Sequence, residues 1–265
     1  MKTIWEGEIE YLAPLFCRGA YKNQPEIRVP SIRGMVRWWF RKLGGTAAEE
    51  KILFGGMKKF ASDNTVHASN LVIRVISEQV VGVGEFSTLP HKHGGDSNPQ
   101  YAFKPNGSFA LKVFSRFDRL KPDSEIKVKN AIEVWTLLGA LGLRANRAGG
   151  SLWPVGELAP ETAIQLRTRL NAAGFKWPVY LAPEAVGTAG ETLRAAATDT
   201  VEGHPQVFGS IRRPVGRLSS PLKIKVIRLD GKLRLLITAP TESMIREAQA
   251  ALKGHLSQPE GWMPI

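Results

Sequence analysis

Apolar and polar residues alternate along TIWEGEIEYL, residues 3–12, which predicts a strand with one buried face. APLFCRGAYKNQPEIRVP follows as a loop with a proline near each end. The period then changes. From Ile32 to Leu43 apolar residues recur every three or four positions, which predicts a helix capped by Ser31 and stopped by Gly44-Gly45. EEKILFGG is a short apolar piece closed by glycines, and ASNLVIRVISEQVVG reads as the next strand. Residues 84–107, rich in Gly, Pro and Asn, read as one long loop before a third strand, SFALKVFSRF. KVKNAIEVWTLLGALGL predicts a second helix, with Ile132, Trp135, Leu138 and Leu141 near helical spacing. RANRAGGSLWP then turns into a fourth strand. The order β-α-β-β-α-β is the ferredoxin-like arrangement.

The second half is less regular but also α+β. PETAIQLRTRLNAAG and TESMIREAQAALKGH read as helices, the latter capped by Thr241, and GETLRAAATD as a shorter one. QVFGSIRRPV, SPLKIKVIRLD and KLRLLITAP read as strands, with Asp230-Gly231 as a hairpin turn.

Charge sharpens this picture. Lys and Arg number 36 against 24 Asp and Glu, a net charge of +12. Such an excess attracts polyanions, nucleic acid or an anionic membrane first. It is spread through ordered-looking sequence beside aromatics and glycines, which favours a folded nucleic-acid binder over a basic arm. No apolar run approaches the roughly 20 residues that span a bilayer, and the acidic, alternating start is unlike a signal peptide. The single cysteine, Cys17, allows no internal disulfide and no Cys-based zinc site. An intracellular, reducing compartment fits, and the expectation is a cytoplasmic protein with no membrane partner.

RGMVRWWFRK, residues 33–42, is both greasy and basic. On a helical wheel Arg33, Arg37 and Arg41 fall within about 80° of each other. Met35, Val36, Trp39, Phe40 and Leu43 lie opposite, with Trp38 at the border. No acid stands at i±4 of the arginines. A solvated face is the ordinary reading of a charge stripe. Arginine rather than lysine, preceded by a loop with Arg18, Lys22 and Arg28, favours phosphate contact. Trp38 either stacks on a base or packs on its own fold.

LGLRANRAGGSLWP sets Arg144 and Arg147 beside Gly149, Gly150 and Ser151. Successive amides of such a loop can cradle phosphate oxygens; a helix end followed by a tight turn uses the same glycines. It is neither a Walker loop nor a dinucleotide fingerprint, because no Gly-Lys-Ser/Thr follows and the strand-then-helix order is reversed. His91 and His93 in LPHKHGGD, with Asp96 nearby, are the candidates for metal-free general acid–base cleavage of RNA or for a metal. His67, His204 and His255 stand alone and read as structural or surface residues. Cys17 lies in the basic loop with no identifiable histidine partner.

LAPLFCRGAYKNQPEIRVPSIRGMVRWWFRKLGG resembles the N-terminal signature of the RAMP proteins of type III CRISPR effectors, most nearly the first-subunit family of the Cmr (type III-B) complex. Pro14, Leu15, Phe16, Gly19 and Ala20 fit its strand-end turn. Pro25, Glu26, Arg28, Pro30, Ser31, Ile32, Arg33 and Gly34 fit its PE-x-R-x-PS-I-[KR]-G segment, and Arg37, Trp38, Trp39 and Arg41 its aromatic and basic run. LFGG at 53–56, the glycine-rich loop and RLSSPLKIKV resemble further family segments. Tyr21 stands where an acid is common, and Ala148 where the loop pattern often has glycine.

The resemblance implies an α+β protein of tandem ferredoxin-like, RRM-related domains, residues 1–158 and 159–265, with antiparallel sheets and helices on one face. It implies a non-catalytic, cofactor-free subunit that binds single-stranded guide or target RNA near the guide 3′ end and contacts neighbouring RAMP subunits. Arg33, Arg37 and Arg41 are then expected on phosphates, with Arg18, Lys22, Arg28 and Ser31 extending the track. Arg144, Arg147, Gly149, Gly150 and Ser151 supply amides and cations, and Arg212, Arg213 and Arg217 cations from the second half. The alternative is a metal-independent RAMP endoribonuclease using a histidine of the 91–93 loop.

Overall fold

The computed structural model describes residues 2–57, 66–90, 92, 94–116, 120–183, 204–210, 216, 218–252 and 261–265. Its first strand, β1 (Thr3–Tyr11), buries Trp5, Ile9 and Tyr11 on one side and turns Glu6, Glu8 and Glu10 to the other. Helix α1 (Val29–Lys42) begins three residues earlier than the pattern suggests. Arg28, not Ser31, is the N-cap residue, no side chain caps it, and a proline occupies the first turn, where a missing N–H costs nothing. The helix ends in a Schellman motif: Gly45 N donates to Phe40 O (3.0 Å) and Gly44 N to Arg41 O (3.2 Å). Ile32, Val36, Trp39 and Phe40 are buried at 0–1% exposure, the face the wheel assigns to the core.

EEKILFGG belongs to a helix, α2 (Ala47–Phe54), opened by a capping box between Thr46 and Glu49. Short strands β2 (Gly56–Met57) and β3 (Val66–His67) pair with each other before β4 (Leu71–Gln79). The expected long loop is instead a hairpin, β5 (Val83–Ser87) and β6 (Pro99–Phe103), paired from Val83↔Phe103 to Ser87↔Pro99. Next come β7 (Gly107–Ser115), α3 (Pro122–Leu138) and β8 (Leu152–Pro154). Strand order is β4-β7-β1-β8 with every pair antiparallel, the ferredoxin-like order. Leu141 lies beyond the end of α3 but is still buried.

The second half repeats the topology. After α4 (Ala163–Ala172), a sheet forms from β9 (Val179–Leu181), β10 (Lys223–Leu229), β11 (Lys232–Thr238) and β12 (Met263–Pro264). A short α5 (Pro205–Phe208) precedes β10, and α6 (Glu242–Leu252) follows β11. The order β10-β11-β9-β12, again antiparallel, is the same permutation. The fold is therefore tandem ferredoxin-like. Asp230 (φ 51°) and Gly231 (φ 69°) form the predicted hairpin turn, and Thr241 Oγ1 accepts from Met244 N at the start of α6. One reading fails: QVFGSIRRPV is not a strand over its described part, because Pro205 starts the helical turn α5. GETLRAAATD lies outside the described residues.

The two sheets share one core, sewn together by the 144–151 segment along the outer edge of β10. Ala148 N donates to Ile224 O (2.9 Å), Ile224 N to Asn146 O (3.3 Å), and Val226 N to Ser151 Oγ (3.0 Å). On the other side Arg228 grips Glu10 with both terminal nitrogens, at 2.5 and 3.0 Å. No helix among the described residues is long and apolar enough to cross a membrane.

Candidate nucleic-acid interface

The arginine stripe of α1 does not stand free. Arg33 donates to Ser69 Oγ (2.6 Å) and Leu71 O (3.4 Å), and burial pushes its pKa down. Arg37 Nε donates to Glu50 Oε1, and Arg41 Nη1 lies 3.7 Å from the same oxygen. The stripe was expected to lack a pairing acid, and this is a correction. The acid comes from α2, beyond the reach of an i±4 rule. Glu50 is one charge for two guanidinium groups, and Arg33 is held by neutral acceptors, so the face keeps a positive excess. Arg41 is the most exposed of the three.

Trp38 is half-buried and packs on its own fold. Its ring meets Trp39 edge-on at 4.8 Å and Trp177 at 6.0 Å. Over it sit Lys223 Nζ at 4.4 Å and Lys42 Nζ at 5.2 Å. Lys223 is almost wholly buried and donates to Asn146 Oδ1 at 2.6 Å. Burial first, then Lys42 and Arg147, push its pKa down to about 8.

The glycine-rich loop serves the domain junction, and its amides are not open to a ligand. Gly149 N donates to Arg144 O (3.1 Å) and Gly150 N to Pro14 O (2.9 Å). Ser151 is fully buried, donating to Ala148 O at 2.8 Å while accepting from Val226. Gly150 has φ +60°, and a Cβ there would stand 2.1 Å from Leu141 O, so close approach and backbone both require glycine. Ala148, where the family pattern often has glycine, adopts φ 60° despite its Cβ. Arg147 donates to Phe208 O (2.6 Å) and stacks on the Phe208 ring (4.7 Å), its pKa pushed to about 10 by burial and then by Arg144. Arg144 is half-buried, with its pKa lowered by burial.

What the structure brings together instead is a cleft of about 350 Å³ at the start of α1. Arg18 and Ser31 line it from the N-terminal segment, Gln100 and Tyr101 from β6, and Gly142 and Leu143 from the turn after α3. Arg18 Nη1 donates to Gln100 Oε1 (2.6 Å) and Lys22 O (3.3 Å), both neutral, so its charge is not cancelled there. Helix α1 opens beside it with no capping side chain and no acid in its first turn, leaving the positive end of its dipole uncompensated. Lys22 is exposed on the same loop, and Arg28 Nε lies 3.8 Å from Glu26 Oε1, an exposed ion pair. The sheet face away from the core carries Glu6, Glu8 and Glu10, of which Glu6 is paired with Lys112 at 2.7 Å and Glu10 with Arg228. Gln100 and Tyr101 were missed because the hairpin was read as loop.

Cys17 is buried beside this cleft, and burial pushes its thiol pKa up, opposing a nucleophilic thiolate. His204 Nδ1 lies 2.6 Å from Glu247 Oε1, a structural pairing. His91, His93, His255, Arg212, Arg213 and Arg217 lie outside the described residues; Asp96 sits in a 3₁₀ turn, Gly94–Ser97.

Comparison with known proteins agrees with this architecture. The chain is 47% identical over 175 residues to the CRISPR system Cmr subunit Cmr1-2 of Pyrococcus furiosus, covering 55% of this chain and 91% of that protein. It is 28% identical over 148 residues to Cmr1-1 of the same organism, covering 49% of this chain but only 41% of that longer protein. In fold it resembles the crystal structure of apo Cmr1 from Pyrococcus furiosus (TM-score 0.58, 18% identity, covering 88% and 86% of the two chains). It also resembles a chain of the type III-B Cmr-beta complex bound to cognate target RNA (TM-score 0.58, 11% identity, covering 96% and 100%). The RAMP superfamily profile matches residues 8–153, more than half of the sequence, and the chain belongs to the RAMP superfamily.

Proposed function

We propose that this chain is a non-catalytic RNA-binding subunit of a type III-B Cmr effector complex. In this reading it lies near the guide 3′ end, beside neighbouring RAMP subunits, and holds single-stranded guide or target RNA by its backbone. The observation that carries the reading is the cleft where Arg18, held among the described residues by the neutral Gln100 side chain and Lys22 carbonyl, meets the uncapped start of α1. Sequence likeness to a Cmr1 subunit, and fold likeness to a chain of an RNA-bound Cmr complex, support it. Arg18, Lys22, Arg28 and Arg41 form the phosphate track, and half-buried Arg144 adds charge from the turn behind the cleft. Arg33 and Arg37 shape the helix face from within, and Arg147, Gly149, Gly150 and Ser151 hold the two halves together. Arg212, Arg213 and Arg217 are assigned the second half's share of the RNA contact.

The test is a native gel with end-labelled single-stranded RNA, read for both binding and cleavage, with Arg18→Ala beside the wild type. Intact, shifted RNA that is lost in the variant supports the reading. RNA shortened by the wild type, and spared by His91→Ala or His93→Ala, would replace it with the endoribonuclease.

A further inference from the structure

We propose that the cleft at the start of α1 seats one unstacked base of the bound RNA, with the Tyr101 ring as its stacking wall. This rests on the RNA-binding reading and adds what the cleft takes: a base, not only phosphate oxygens. Tyr101 is 44% exposed and Leu143 46% exposed, and both line the cleft. They come from different elements, β6 and the turn after α3, so apolar surface borders the opening from two parts of the chain. No ring of the described residues stacks on Tyr101, whereas Trp38, Trp39, Phe175 and Trp177 all pack on one another.

Volume and polarity fit such a guest. About 350 Å³ is at the small end of ligand clefts, suited to a single base with its sugar rather than a stacked helix. Single-stranded RNA is held in this way, by bases splayed out onto aromatic rings. The Gln100 amide is fixed on both sides: Oε1 accepts from Arg18, and Nε2 donates to Asn98 Oδ1 at 3.2 Å. One Nε2 proton of Gln100 and the Ser31 hydroxyl are side-chain groups left at the lining to meet a base edge, so stacking on the ring is the main contact of the seat. Arg18 at the same cleft balances the phosphate that accompanies the base.

The experiment measures RNA affinity by fluorescence anisotropy across a salt series for the full chain, Tyr101→Ala and Tyr101→Phe. Tyr101→Ala is expected to weaken binding about tenfold at every salt concentration without changing the salt slope, because a stacked ring releases no counterions. Tyr101→Phe is expected to bind within about twofold of wild type, because stacking needs the ring and not the hydroxyl. RNA carrying 5-iodouracil should cross-link under ultraviolet light to the peptide containing Tyr101. Wild-type affinity in Tyr101→Ala, an equal loss in Tyr101→Phe, or cross-links only elsewhere would overturn the base seat while leaving the phosphate track standing. Failure of the wild-type chain to bind RNA at low salt would remove the function and the seat together.

Discussion

Removing the Arg37 guanidinium should cost stability. Glu50, whose side chain is only 8% exposed, would keep Arg41 alone, at 3.7 Å. Breaking a buried ion pair by deleting one partner typically costs about 3–5 kcal/mol, because a desolvated charge is left behind. Two features reduce that here: the Arg37 side chain is 40% exposed, so solvent already screens the pair, and Arg41 partly compensates. Arg37→Ala should therefore destabilise by about 2 kcal/mol, or roughly 4–8 °C in Tm for a chain of this size. In a Glu50→Gln background the same substitution should cost under about 1 kcal/mol, giving a coupling of at least about 1 kcal/mol. Arg37→Glu should be worse than Arg37→Ala, since two carboxylates would share the space. Denaturant titration of the four proteins in the cycle reads this directly. Equal cost in both backgrounds would refute the pairing argument and return Arg37 to the list of free phosphate ligands. If the argument holds, lost RNA binding in Arg37→Glu reports a damaged fold rather than a lost contact.

Two further outcomes follow from the junction. Gly150→Ala forces a Cβ into left-handed backbone and against Leu141 O, so unfolding should become easier by at least about 2 kcal/mol in the same titration. Lys223, with a folded pKa of about 8 against an ordinary 10.5, opposes folding below pH 8; the opposition fades as pH rises from 8 to 10.5, where the unfolded chain alone holds the proton. Relative to Lys223→Met, which does not titrate but loses the Asn146 and Trp38 contacts, the wild type should gain on the order of 3 kcal/mol of stability between pH 7 and 10.5; a pH-independent difference would contradict the assignment.

Much of the fold was legible because its signals are local. Period-2 alternation in β1 and period-3.6 recurrence in α1 each reflect a single buried face, and Asp230-Gly231 carries its turn chemistry in two residues. Boundaries were less legible. Helix α1 starts at Val29 because Pro30 fits a first turn, whereas Ser31 drew attention as the cap. The start of α2 was readable in Thr46 and Glu49, yet its apolar residues make no clear stripe. The hairpin of β5 and β6 was obscured by the glycines and prolines around it. At the site, charge type was legible but charge pairing was not: Glu50 meets Arg37 through tertiary packing of α2 on α1. The glycine loop misled for a related reason. Its amides look free in sequence, but Pro14 O takes the Gly150 amide, and the edge of β10, some 75 residues later, takes the Ala148 amide and donates to the Ser151 hydroxyl. Gln100 and Tyr101 carry no motif, Leu143 stands in the glycine-rich loop as an ordinary apolar residue, and the three reach the cleft only once hairpin and turn are folded.

The central claim, that RNA phosphate meets the chain at Arg18 and the start of α1, is tested most directly by the salt dependence of single-stranded RNA binding. The wild type should lose affinity steeply as salt rises, and Arg18→Ala should bind more weakly with a slope smaller by about one released ion. An unchanged affinity and slope in Arg18→Ala, at unchanged stability, would contradict it.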